Sequence, residues 1–143
     1  MAKLSPALAA DLVARARAVR QHAYVAASGF RVGAAVLGGS GAVHVGCNVE
    51  NASYGLTLCA ERAAVCAAIA AGERELRAVA VVTGLRHPAR PCGACRQVLA
   101  EFAPAHGDLA VLLAGTGKQV ARTTLARLLP DRFTFADVHK GRG

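Results

Sequence analysis

Two short segments carry residues able to do chemistry together. One is Cys59-Ala60-Glu61-Arg62; the other is Pro91-Cys92-Gly93-Ala94-Cys95-Arg96-Gln97. Cys92 and Cys95 stand at i and i+3, so both thiols can face one metal ion from the first turn of a helix. Cys59 and Glu61 are two apart and share no lateral helix face. Both can still reach forward from the tip of a helix aimed at the metal. A helix N-terminus has free N–H groups and partial positive charge, which favour thiolate over thiol. Three cysteines fill three of zinc's tetrahedral positions, and an open fourth position is the arrangement of a catalytic zinc. A carboxylate beside that position can move protons for a water held there. Three thiolates around a divalent ion leave excess negative charge. Arg62 is placed to offset it by hydrogen bonding to a thiolate, and Arg96 is a second candidate. Ligand spacing alone also fits a closed four-ligand zinc knuckle completed by Cys47, Cys66 or a histidine.

Each segment has to open a helix after a loop, and the remaining pattern supplies that frame. Ser5-Pro6 starts a helix that runs to about Gln21, with Leu8, Leu12, Ala16 and Val19 on its apolar face. Residues 31–37 and 42–47 read as a β-hairpin around Gly38-Gly39-Ser40-Gly41. A long polar loop, 48–57, leads to an apolar helix over 58–71 that is stopped by Gly72. A strand at 77–83, a loop at 87–91 and a helix over 92–102 follow. A strand at 109–114 and a short one at 118–122 precede a last helix, capped by Thr123 or Thr124 and ended near Leu129 by Pro130. Residues 131–143 read as irregular. The order predicts one α/β domain over residues 1–143, with three α-β-α layers and a mixed five-stranded sheet. Cys66, inside the apolar helix, and Cys47, at a strand end, read as packing residues. The five histidines show no ligand spacing.

Composition narrows the partners. The chain has 143 residues, 54% of them hydrophobic and only 18% charged, which excludes a disordered chain. Its 33 alanines favour closely apposed helices. The 17 Lys and Arg against nine Asp and Glu give +8, spread from Lys3 to Arg142 without a dense run. That reads as a basic surface, not a specific anion site. Aromatics are 4% with no Trp, too few stacking rings for an extended single-stranded nucleic-acid partner. An odd count of five cysteines argues against a disulfide framework. The first twenty residues carry charges throughout and no apolar stretch is long enough to span a bilayer, so the expected location is the cytoplasm.

These residues resemble the zinc-dependent nucleoside and nucleobase deaminases, whose pattern is a ligand-x-Glu followed by Pro-Cys-x-x-Cys. The chain has the all-cysteine form and is most similar to the small homotetrameric cytidine deaminases. The similarity extends over Phe30-Arg-Val-Gly-Ala-Ala35, the block from Gly46 to Ala64, Pro91 to Gln97, and Leu128-Leu-Pro-Asp-Arg-Phe133. It implies one Zn2+ per chain on Cys59, Cys92 and Cys95, with Glu61 as the proton shuttle for hydrolytic deamination of cytidine and 2′-deoxycytidine in pyrimidine salvage. It implies that Asn48 and Glu50 bind the ribose 3′-hydroxyl, that Phe30 packs on the base, and that the Ala60 N–H reads the base carbonyl. Tyr54 and Phe133 would come from adjacent subunits to close the pocket of a homotetramer, for which D2 symmetry is natural. Arg62 and Gln97 are placed immediately around the ligands.

Other readings are weighed beside this one. A blasticidin-type deaminase shares the all-cysteine zinc and the Asn-x-Glu theme, but Tyr54-Gly-Leu-Thr-Leu58 and the Leu-Leu-Pro-x-x-Phe tail favour cytidine deaminase. A polynucleotide-editing deaminase needs a base-stacking or backbone-tracking surface that the sequence does not display. A non-enzymatic zinc module would have no use for Glu61. The resemblance also has departures: Ala26-Ala27-Ser28 stands where the family has Pro-Tyr-Ser, and the tail from Lys140 to Gly143 takes no role from it.

Overall fold

The computed structural model describes residues 3–140. Five strands form one sheet: β1 (Val32–Gly38), β2 (Val43–Cys47), β3 (Leu76–Thr83), β4 (Ala110–Ala114) and β5 (Val120–Thr124). Their order is β2-β1-β3-β4-β5, and only the β3–β4 pair is parallel. The expected mixed five-stranded sheet is therefore present. Helices α1 (Pro6–Val19), α2 (Ala60–Ala70), α3 (Gly93–Glu101) and α4 (Leu125–Leu128) cover it.

Strand alternation sorts the core into two layers. Ala34, Val36, Val79, Val81, Val111 and Leu113 point to the face covered by α2, α3 and α4, where they meet Ala64, Val65, Leu99 and Leu125. Their neighbours Ala35, Leu37, Ala78, Ala80, Val82 and Leu112 point to the other face and meet Leu12, Val13 and Ala16 of α1. Being buried on both sides, β3 has to be an unbroken apolar run, Ala78-Val-Ala-Val-Val82, not an alternating one. The result is the α-β-α sandwich.

Two glycines set how closely the helices approach. A Cβ at Gly33 would collide with the Ala16 carbonyl oxygen of α1, and one at Gly46 with the Ala64 nitrogen of α2. At both positions only a hydrogen in place of a side chain lets helix backbone lie directly on strand backbone. Gly46 therefore fixes the depth at which the N-terminus of α2 meets the sheet.

Several boundaries differ from the sequence reading for local reasons. Leu58 stays extended because it exchanges both backbone hydrogen bonds with Val49, so α2 starts at Ala60 and Cys59 becomes its N-cap. Cys92 is likewise the N-cap of α3 rather than its first residue. The last strand runs to Thr124, and α4 ends one residue earlier than expected, at Leu128. The tail read as irregular contains helix α5 (Phe135–Lys140). Its start is fixed by Asp137, whose Oδ2 accepts from both the N–H and the hydroxyl of Thr134. Residues 141–143 lie outside the described residues. Cys66 was expected in the core; it is exposed, because the buried face of α2 is taken by Ala60, Ala64, Val65 and Ala68. No described helix is long and apolar enough to cross a membrane.

Candidate active site

The N-termini of α2 and α3 converge at one end of the sheet. Their N-cap residues, Cys59 and Cys92, are both extended, and neither side chain caps its own helix. The sulfurs are thus free to point forward. Cys59 Sγ lies 4.0 Å from Cys92 Sγ, Cys92 Sγ lies 3.5 Å from Cys95 Sγ, and all three fall within 4.8 Å of one another. Zn–S bonds of about 2.3 Å at tetrahedral angles require sulfurs about 3.8 Å apart, so the three thiols fit a zinc ion. Among the described residues no fourth His, Cys, Asp or Glu joins this group. Neither Cys47 nor Cys66 does, and the closed four-ligand knuckle is set aside.

Burial pushes the Cys95 thiol up, and the carboxylate of Glu61 pushes it further. Burial also opposes ionisation of Cys92, yet hydrogen bonds from the backbone and side chain of Cys95 and from Cys59 bring it net below the usual thiol range. Ionised together, three sulfurs and a carboxylate packed this closely call for compensating positive charge. Arg62 supplies part of it, with Nη2 donating to Cys59 Sγ at 3.2 Å and to the Thr57 carbonyl at 3.4 Å. Arg96 does not take part: its guanidinium is tied to the carbonyls of Pro91 and Leu128.

Glu61, in the first turn of α2, is 6% exposed, and its Oε2 lies 3.7 Å from Cys95 Sγ. Burial raises its pKa above the usual carboxylate value. A cavity of about 220 Å³ opens in front of it. Phe30, Asn48, Cys59, Ala60 and Cys92 line this cavity with Glu61. A neighbouring hollow of about 310 Å³ holds Glu50 and Tyr54, and Thr57 borders both. A larger hollow, about 610 Å³, runs along the outer face of α1 and holds no metal ligand or carboxylate.

Asn48 is 8% exposed and already bonded on both ends. Its Oδ1 accepts from the Val32 N–H at 2.8 Å, and its Nδ2 donates to the Phe30 carbonyl at 2.7 Å. One lone pair and one N–H remain for a ligand. Glu50 Oε1 accepts from the N–H groups of Ala27 and Ser28. The Ser28 hydroxyl, then these N–H groups, hold the Glu50 carboxyl below its ordinary value. Phe133 lines neither hollow, and its ring is 64% exposed. Gln97, placed by sequence around the ligands, instead donates from Nε2 to the Phe133 carbonyl at 2.9 Å.

Sequence reasoning missed Thr57, Thr83, Ala89 and Arg90 in the cavity wall. Thr83 had a signal: it ends β3, and the carboxyl ends of strands are where α/β sheets place their sites. Ala89 and Arg90 immediately precede Pro91-Cys92.

The profile of the cytidine and deoxycytidylate deaminase zinc-binding region matches residues 7–107. The chain belongs to this family. The matched region is a zinc-binding one and contains Cys59, Cys92 and Cys95, so zinc is the metal that the three cysteines fit. The cytidine deaminase of Sporosarcina psychrophila is 44% identical over 127 residues, covering 89% of this deaminase and 92% of that protein. The crystal structure of cytidine deaminase from Burkholderia pseudomallei superposes with a TM-score of 0.81 at 47% identity, covering 87% of this chain and 98% of that one. The blasticidin-S deaminase of Bacillus cereus is more distant, 31% identical over 114 residues, covering 72% of this chain and 76% of that protein.

Proposed function

We propose that this deaminase hydrolyses the 4-amino group of cytidine and 2′-deoxycytidine, giving uridine or 2′-deoxyuridine and ammonia. The observation that carries this is the buried carboxylate of Glu61 beside a three-sulfur cluster that no fourth His, Cys, Asp or Glu joins among the described residues, with a cavity in front of it. When bound, zinc supplies Lewis acidity that makes water a competent nucleophile near neutral pH.

The residues of the chain do the rest. Glu61 takes a proton from the attacking water and delivers it to N3 of the cytosine ring. The water oxygen forms the new bond at C4. Glu61 then carries the remaining proton from the new C4 hydroxyl to the departing nitrogen, the C4–N4 bond breaks as the C4 carbonyl forms, and one ammonia leaves for each water consumed. The raised pKa of Glu61 supports this two-way traffic. Ala60, as the first residue of α2, has a backbone N–H without an intrahelical partner, and it is assigned to the base carbonyl. Phe30 packs on the base. The unused N–H of Asn48 and the carboxylate of Glu50 bind the ribose 3′-hydroxyl, one as donor and the other as acceptor. Arg62 balances the thiolates, and Gln97 holds the segment that carries Phe133.

Tyr54 and Phe133 are assigned to the pockets of neighbouring subunits in a homotetramer of single-domain chains. Their exposure, 76% and 64%, supports this, because neither ring finds cover in its own chain. The assigned location is the cytoplasm, where free nucleosides are salvaged and thiols stay reduced. Ammonia release measured over cytidine, deoxycytidine, cytosine, adenosine and blasticidin S, with zinc content determined on the same sample, tests the reading. Release from the two cytosine nucleosides with one zinc per chain is expected. Release confined to blasticidin S, or none from any substrate with zinc in place, refutes it.

A further inference from the structure

A second cavity, of about 420 Å³, lies at the other end of the sheet. Its position follows from the strands. Leu37 near the end of β1 and Arg77 near the start of β3 line it, whereas Val32 and Thr83, at the opposite ends of the same strands, line the cysteine cavity. Four cations border it: Lys3 from the segment before α1, Arg77 from β3, Arg122 from β5 and Arg127 from α4. A single carboxylate, Asp108, joins them, and its Oδ1 already accepts from the N–H groups of Leu109 and Ala126. Positive charge that looks diffuse along the sequence is concentrated here by the fold.

Two of the cations are tethered by hydrogen bonds. Arg77 Nε donates to the Gly38 carbonyl at 3.3 Å, and Arg122 Nη2 donates to the Leu4 carbonyl at 3.4 Å. Each guanidinium keeps further N–H groups for a ligand. Neither the Arg15–Asp11 nor the His44–Glu73 ion pair reaches this cavity. Between the cations lie Leu4, Leu8 and Leu37. A bare anion has no use for such a floor, while an organic phosphate with a flat body can use both parts. The volume falls within the roughly 300–1,000 Å³ of small-molecule sites.

We propose that this cavity binds a nucleoside triphosphate, with its phosphates on Lys3, Arg77, Arg122 and Arg127 and its base against the leucines. Guanidinium pairs suit phosphate oxygens through bidentate hydrogen bonds. Calorimetric titration of the full chain tests this with three probes: ATP, inorganic tripolyphosphate and a short single-stranded deoxyoligonucleotide. ATP is chosen because it carries no cytosine for the deaminase cavity. Saturable ATP binding is expected, about tenfold tighter than tripolyphosphate and weaker at high salt. The double variant Arg122→Ala/Arg127→Ala is expected to weaken ATP by at least about tenfold without changing ammonia release. If that variant does not fold, the single exchange Arg127→Gln on the exposed side of α4 gives the same reading. Lack of saturable ATP binding, ATP binding untouched by the variants, tripolyphosphate equalling ATP, or preference for the oligonucleotide would each overturn the assignment.

Discussion

Arg62 Nη2 sits 3.2 Å from the sulfur of Cys59, which places a guanidinium against a metal ligand three residues earlier on the same helix. The geometry is local: N-cap and third residue of one helix turn. Removing the cation leaves three sulfurs and Glu61 with less compensation. Arg62→Gln is expected to lower zinc affinity or turnover by about 10–100-fold, the usual cost of losing a partner of a metal ligand. Arg62→Lys is expected to recover only part, since a point charge cannot reproduce the fork. Zinc titration against a competing chelator, with turnover measured on zinc-saturated samples, checks both.

Asn48 joins the end of β2 to the segment entering β1 through two part-buried hydrogen bonds. Asn48→Ala leaves the Val32 N–H and the Phe30 carbonyl without these partners. A loss of about 1–3 kcal/mol is expected. Asn48→Asp keeps an acceptor for Val32 but sets an oxygen against the Phe30 carbonyl, and it should fare no better. Urea unfolding gives the stability, and KM for cytidine is expected to rise in both variants, because Phe30 and the ribose contact move together.

Glu73 is buried under the β1–β2 turn and holds three groups there. It accepts from the N–H and the hydroxyl of Ser40 and faces His44 Nε2 at 3.5 Å. The Ser40 bonds, and after them His44, hold its carboxyl below the ordinary value of 4.5. A carboxyl depressed in the folded state stabilises fully above its unfolded value and loses that contribution as pH falls through the lower folded value. Melting temperature is therefore expected to drop below about pH 4.5, and Glu73→Gln is expected to flatten that limb while lowering stability at pH 7. A melting series from pH 3 to pH 8 (range set by about 1.5 units below the unfolded value and the neutral plateau) shows whether the two curves converge at acid pH, as this account requires.

The assignment of Phe133 to a neighbour's pocket has a direct genetic counterpart. Phe133→Ala chains keep Glu61, and Glu61→Gln chains keep Phe133. Each alone is expected to be impaired. Mixed after dissociation and reassembled, they are expected to regain activity, because a Phe133→Ala chain can receive the ring from its neighbour. Additive activity without recovery, or a fully active monomer in sedimentation, contradicts the shared pocket.

The sequence exposed the chemistry more readily than the placement of single side chains. The spacing of Cys59, Glu61, Cys92 and Cys95 already demanded two helix N-termini facing one point, and this is what the sheet delivers. The hairpin and the doubly buried β3 were legible from turn residues and from an apolar run. Cys66 was misread because the apolar run of α2 is mostly alanine, and small side chains on the outward face look the same in sequence as those facing the core. Arg96 was a plausible charge partner by proximity, but its helix turns it toward the Leu128 carbonyl. The two-ended bonding of Asn48 depends on a loop whose path no local rule specifies. Helix α5 rests on one Asp137–Thr134 cap with no buried face, too weak a signal for periodicity to reveal.

Glu61 is proposed to move protons at a zinc site that it does not itself hold. Glu61→Gln keeps size and shape, so zinc content and ammonia release from cytidine can be measured on one purified sample. The account predicts zinc retained at the level of the unaltered protein with turnover lowered by about 10²–10⁴-fold. Zinc retained with turnover within a few-fold of the unaltered protein would contradict it.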